Sequence, residues 1–281
     1  MSGRLAEIEG RITGIRQLGT VVNAMRGIAA ARAQQARGQL AAVDSYAAVI
    51  AGAIGRILAT APAPEAGRTR PGRTALILFC AEQGFAGAFS ERILDAVAGE
   101  LTDSALFLIG TRGQMLARER GIETDWAQDM PAHTAALPRL ADQIVETLAA
   151  PIATGHVDRL DVVFTDRRPG GSMTVVRRRL LPFDFHGFAP VASALPPLVH
   201  LPAGELLADL AAEYVHAQLC NAALHAFAAE NDARMEAMAA AKGQIDRQLD
   251  TLQATQRRVR QDEITAEIIE LAAGETASNG G

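Results

Sequence analysis

From Leu5 to about Leu58 apolar residues recur at helical spacing, through Leu5, Ile8, Ile12, Ile15, Val22 and Met25, then Leu40, Val43, Ile50, Ile54 and Ile57, with no proline. The pattern predicts one very long helix. Its middle, Ala29 to Ala36, is rich in alanine, which favours helix and lets a partner helix approach closely. Helical periodicity without proline returns from about Gly204 to Ala272. Between Met235 and Val259 it tightens into heptads, with Met235, Met238, Lys242, Ile245, Leu249, Leu252, Gln256 and Val259 on the seam. Lys242 and Gln256 are polar residues of the kind that fixes register in such a seam.

The middle of the chain has another rhythm. Ala61–Arg73 concentrates proline and glycine and reads as a linker. Beyond it, short apolar runs at Thr74–Cys80, Ala105–Gly110 and Leu160–Thr165 read as strands, with helices at Glu91–Leu101, Gly113–Arg120 and roughly Pro138–Ala150. The first two helices fall between strands, as parallel crossovers require. The run SMTVVRRRLLP follows the turn signal RRPGGS and is expected to return antiparallel to the strand before it. Phe183–Pro202 is proline-rich and irregular.

At 1.5 Å per residue the first helix would reach roughly 80 Å and the last roughly 100 Å, whereas a compact domain of this size is about 45–50 Å across. Neither long helix can bury its apolar stripe alone. The expected solution is an antiparallel coiled coil of the two termini joined to an α/β domain. The expected boundaries are 1–60 for the first helix, 61–73 for the linker, 74–203 for the α/β domain and 204–281 for the last helix with a short disordered tail. Charge supports the pairing. The first helix carries Arg11, Arg16, Arg26, Arg32 and Arg37 with no acid between them, and the last carries Glu205, Asp209, Glu213, Glu230, Asp232, Glu236, Asp246 and Asp250. Two solvated faces remain an equal reading of any one pair.

Composition narrows the function classes. The 281 residues are 49% hydrophobic and only 4% aromatic, which suits long helices packed through small side chains. A formal charge of −5 argues against a nucleic-acid binder, and the arginines of the first helix form a thin patch that an acidic protein partner fits better. Cys80 and Cys220 have no metal-type or dithiol spacing. The N-terminus has no signal-type apolar core, and no stretch is expected to approach a membrane span.

Candidate chemistry is sparse. Ala81–Phe89, AEQGFAGAF, is a glycine-containing loop between a strand and a helix, where dinucleotide sites are built, but Gly84 and Gly87 lack the GxGxxG spacing. Lys242 is the only lysine, so there is no phosphate-binding GxxxxGK motif. A tight turn with close helix packing is the favoured reading of the loop. The histidines His133, His156, His186, His200, His216 and His225 are scattered, with His216 and Cys220 the one i, i+4 pair. No catalytic residue, cofactor or metal site is expected.

At both ends the chain resembles the gamma subunit of F-type ATP synthases. RLAEIEGRITGIRQLGTVVNAMRGIAAARAQQA is similar to that family's opening helix, with Ala24 and Met25 on its Ala-Met pair. Ala228–Asp250 resembles its signature segment, keeping Glu230, Arg234, Met235 and Met238, and Arg260–Gly274 resembles its final motif. The loop AEQGFAGAF keeps the family's Gly84 and Gly87 but has Glu82-Gln83 in place of its Asp-Arg, which puts the ionic contact of that arginine in doubt. Thr20 and Asn23 replace a basic pair, leaving Arg16 and Arg26 as neighbours. These departures suggest a divergent bacterial branch.

The resemblance implies a Rossmann-like central domain and a non-catalytic rotor shaft inside a hexamer of alpha and beta subunits. It implies contacts from Met25, Arg26, Arg260, Gln261, Thr265 and Glu267 to the catch loops of that hexamer, with coiled-coil packing the plainer role for Met25. It further implies partners in the epsilon subunit and the c-subunit ring, membrane contact only through that ring, and a place on the cytoplasmic face of the bacterial inner membrane. A free-standing coiled-coil scaffold with an α/β adaptor shares the periodicity, and a nucleotide-using α/β enzyme would need a ligand at Gly84–Phe89.

Overall fold

The computed structural model describes residues 2–60, 72–168, 171–188 and 198–278. The linker Ala61–Arg73 falls outside them but for its last two residues, as do 189–197 of the proline-rich stretch and the last three residues of the tail. By its contacts the chain divides into one unit of 1–28 with 235–281 and another of 29–234. Helix α1 (Ser2–Leu58) and helix α5 (Ala203–Ser278) each contribute to both.

In the first unit the two helices pair antiparallel. Ile8 and Ile12 meet Val259 and Leu252, while Val22 and Met25 meet Met238 and Ile245. All eight heptad residues of α5 from Met235 to Val259 are buried or half-buried, including the polar Lys242 and Gln256. Gln256 is bound across the pair, its Nε2 donating to Glu9 Oε1 at 3.0 Å. At Gly19 a side chain would begin 3.3 Å from Ile245 Cγ2, so glycine is what lets the helices close at that level.

The second unit is a three-layer α/β structure. Strands β1 (Arg73–Phe79), β2 (Ala105–Ile109), β3 (Trp126–Gln128), β4 (Val157–Arg167) and β5 (Met173–Leu181) form one sheet in the order β3-β2-β1-β4-β5. Only β5 runs antiparallel, against β4, as the turn signal before it predicts. The period-2 alternation of β1 sends its side chains to two cores. Leu76 and Leu78 pack with Phe89, Ile93 and Leu94 of α2 (Phe89–Ala96) and Ala117 of α3 (Thr111–Glu119). Ala75, Ile77 and Phe79 pack with Leu140 and Ile144 of α4 (Leu137–Ala153) and with Leu219, Ala223 and Phe227 of α5.

Two features differ from expectation. Strand β3 was not legible because its three residues, Trp126–Gln128, are too short to show a period. Among the described residues one helix, Gly3–Leu58, has the length and composition of a membrane span, contrary to the sequence expectation. Within it Ala47, Ile50, Ile54 and Ile57 are buried and pack with Leu207 and Ala217 of α5, one face of the helix being covered by the chain itself.

Candidate functional site

A sheet wound in this order reverses direction between β1 and β4, and the crevice at the carboxyl ends of those strands is where open α/β folds take ligands. Here the chain fills it with its own helix. From the β1–α2 loop, the Gln83 N–H donates to Glu230 Oε1 at 3.1 Å, and Arg234 donates back to the Gly84 and Gln83 carbonyls at 3.2 and 3.3 Å. From the end of β4, Asp166 lies 2.7 Å from His225 Nδ1, and Arg167 lies 3.2 Å from Asp232. Because the loop meets α5 through its backbone, glutamine at 83 keeps these bonds. The doubt raised by the missing arginine therefore does not extend to the loop's attachment.

The same loop lines a pocket of about 570 Å³ with Ser90, Thr111, Arg112 and Met115. A phosphate would need the free N–H groups of a helix start there. At α3 that place is taken by the Glu82 carboxylate, which accepts from Thr111 N at 3.0 Å, Thr111 Oγ1 at 2.7 Å and Met130 N at 2.8 Å. At α2 no side chain caps the helix start, and the Ser90 Oγ in its first turn is engaged by the Ala81 N–H at 3.1 Å. The loop is a tight turn, with Phe85 and Gly87 at φ +62° and +59°. Burial holds the Cys80 thiol beneath it up at about 12, which leaves no thiolate nucleophile at neutral pH.

The six residues expected to touch partners all lie in the terminal helix pair, at two separate levels. Met25 is half-buried against the Val22–Met238–Ile245 cluster. Arg26 beside it is exposed and donates to Asn23 at 3.1 Å. Arg260 is level with Glu9, 3.7 Å away, and Gln261, Thr265 and Glu267 follow on exposed positions of α5. The structure thus groups the last four and leaves Met25 and Arg26 apart from them.

Around both groups stand apolar side chains that the periodicity did not single out. Leu18, Val21 and Ile28 of α1 are each more than half exposed, as are Ile264, Ile268 and Ile269 of α5. The signal was present in the sequence as apolar residues off the seam spacing.

An ATP synthase family model matches residues 4–277. The ATP synthase gamma chain of Parafrankia sp. (strain EAN1pec) is 30% identical over 295 residues, covering 99% of this chain and 98% of that one. The chain belongs to the ATP synthase gamma-chain family. The gamma chain of Clavibacter sepedonicus is 28% identical over 275 residues and covers 92% of each. Among solved structures, a chain of the Euglena gracilis mitochondrial ATP synthase, OSCP/F1/c-ring, is similar with a TM-score of 0.68 at 14% identity, over 99% of this chain and 95% of that one. A chain of the Tetrahymena thermophila mitochondrial ATP synthase central stalk/c-ring is similar with a TM-score of 0.58 at 18% identity, over 79% and 99%. At those identities the likeness concerns the fold alone.

Proposed function

We infer that this chain is the central rotor shaft of an F-type ATP synthase, coupling ion-driven rotation of a membrane ring to the conformations of an alpha/beta hexamer. The observation that carries the reading is the antiparallel pair of terminal helices in a chain that matches the gamma-chain family from end to end. A free-standing scaffold would share the helices but not that match.

The mechanism is a population shift. Each rotor angle presents a different face of the helix pair to the hexamer and favours one conformation of the nearest beta subunit, so rotation and nucleotide affinity are linked in both directions. This chain supplies no reacting group on that reading, and nucleotide binds on the alpha and beta subunits. Arg26, Arg260, Gln261, Thr265 and Glu267, all exposed, and Met25, half-buried in the seam beside Arg26, are the proposed contacts to the catch loops. The exposed leucine, valine and isoleucines beside them support the reading, because a partner that surrounds the helices would cover them.

The α/β unit is proposed to meet the c-subunit ring and the epsilon subunit, so that membrane association is peripheral, at the cytoplasmic face of the bacterial inner membrane. The Euglena and Tetrahymena structures, which are of assemblies with a c-ring, support that arrangement.

Affinity purification of the tagged chain from its native membranes tests the reading. Alpha and beta subunits are expected at about three copies each per shaft, the stoichiometry of one asymmetric axle in a closed ring, together with ATP hydrolysis. Recovery of the chain alone, or as a homo-oligomer, would return it to the scaffold class.

A further inference from the structure

Charge buried in an alanine-lined helix is the least expected feature of this fold. The segment Ala228-Ala229-Glu230-Asn231-Asp232-Ala233-Arg234 places four polar residues at exposures of 3, 2, 1 and 5%, in chain order. Taking ions out of water is costly even when they are paired, and apolar side chains of the same volume are often as stable. Stability alone therefore does not account for these residues. What they add is direction.

Asp232 accepts from Arg37 of α1, whose Nη1 donates to both carboxylate oxygens, at 2.9 and 2.7 Å, and the guanidinium of Arg167 at the end of β4 lies 3.2 Å from the same carboxylate. Glu230 and Arg234 are paired to each other, and together they hold both the N–H and the carbonyl of Gln83 and the carbonyl of Gly84. Asn231 orients that arginine, accepting from its Nη1 at 3.0 Å while donating to the Phe227 carbonyl at 2.8 Å. One turn and a half of α5 thus fastens α1, β4 and the β1–α2 loop at a single level.

Beside the larger Leu219, Leu224 and Phe227, the apolar part of the same surface is mostly alanine. Ala222, Ala223, Ala226, Ala229 and Ala233 of α5 are buried there, as are Ala29, Ala33 and Ala36 of α1. Methyl groups interdigitate shallowly and fix a helix's rotation weakly, whereas the bonds that Arg234 makes from three nitrogens fail when their angles change.

We propose that Glu230, Asn231, Asp232 and Arg234 form a torsional clutch, a set of positioning residues that lock the α/β layer to the helices so that twist entering one is delivered to the other. The proposal rests on the shaft reading above.

The test uses the complete complex, purified from its membranes and reconstituted, with Asp232→Asn, Arg37→Met and Glu230→Gln compared with the unaltered chain. Four quantities are read: subunit stoichiometry, ATP hydrolysis, ions moved per ATP hydrolysed, and hydrogen exchange at the Gln83 amide. The clutch predicts that Asp232→Asn complexes keep their subunits and hydrolyse ATP but move fewer ions for each. Arg37→Lys, which keeps the charge on a shorter side chain, should fall between Arg37→Met and the unaltered chain. Glu230→Gln should speed exchange at Gln83 by about tenfold, because a charged acceptor is replaced by a neutral one.

A merely structural role would lower the yield of complexes without changing ions per ATP in those that form. Unchanged ions per ATP in fully assembled Asp232→Asn complexes would overturn the clutch and leave the shaft standing. If that variant does not assemble, Arg37→Met decides by the same criterion, since that side chain is 45% exposed and Arg167 remains beside Asp232 to balance its charge. Absence of alpha and beta subunits beside the unaltered chain would overturn both readings.

Discussion

Arg177 is shared between two acids. Its Nη1 and Nη2 donate to the two oxygens of Glu100 at 2.5 and 2.9 Å, and its Nε to the buried Asp161 at 2.7 Å. The bonds from Arg177 hold the Glu100 carboxyl below the ordinary carboxylate range. A carboxyl lowered in the folded state binds fewer protons there than in the unfolded chain, so its stabilisation is present above the ordinary value of about 4.3 and fades as pH falls through the lowered one. Glu100→Gln should therefore destabilise the chain at neutral pH, and the difference should vanish once the pH has fallen below the lowered value. Denaturant midpoints across that range check it, and the difference should shrink in high salt because the Glu100 side chain is 44% exposed. At Gly113 packing rather than charge decides. A methyl there would lie 2.2 Å from Cys80 Cβ and 2.9 Å from its Sγ, so Gly113→Ala should cost about 1–3 kcal/mol in the same assay. Neither feature was legible in the sequence. Glu230 and Asp232 likewise read as acids on a charged face, because burial of a carboxylate depends on partners such as Arg37, 195 residues away, that no local pattern reveals.

Secondary structure, by contrast, was legible wherever a period could repeat. The heptads of α5 and the apolar stripe of α1 land on the buried seam because helix geometry converts spacing directly into a face. Strands β1 and β2 follow their apolar runs to within a residue, while β4 begins three residues earlier, at Val157, in a polar stretch paired to β1 through its backbone. Charge matching between the long helices carried less than expected. Asp232 bonds across to α1, but Asp246 pairs within α5 with Lys242, and Glu213 accepts from the Tyr46 hydroxyl. The pairing is therefore held by the apolar seam, and by unbroken helix within it. Proline at Ala30 or Leu249 removes a ladder hydrogen bond and clashes with the preceding turn, at about 3 kcal/mol or more. Circular dichroism of Ala30→Pro or Leu249→Pro should report lost helix. ATP synthesis driven by an ion gradient should fall in complexes containing either, and unchanged synthesis would count against the shaft role.

Across the whole molecule the informative residues are the apolar ones the chain leaves uncovered. A helix pair closed only on itself would place Leu18, Val21 and Ile28 on the seam or replace them with polar residues, yet each is more than half exposed. The same holds for Ile264 and Ile268, which flank the exposed Thr265 and Glu267. Surface changes away from buried contacts usually alter stability by no more than about 0.5 kcal/mol. Replacing Leu18, Val21 and Ile28 together by serine should therefore leave the unfolding midpoint of the chain nearly unchanged. If a hexamer covers these residues, the same change removes apolar contact from that interface, each fully buried side chain contributing about 1.5–3 kcal/mol. Recovery of alpha and beta subunits with the tagged triple variant should then fall steeply while the variant itself remains folded. A triple variant that recovers the hexamer as well as the unaltered chain does would mean that this face stays in water, and the contact surface would then have to be sought on α5 around Ile264 and Ile268.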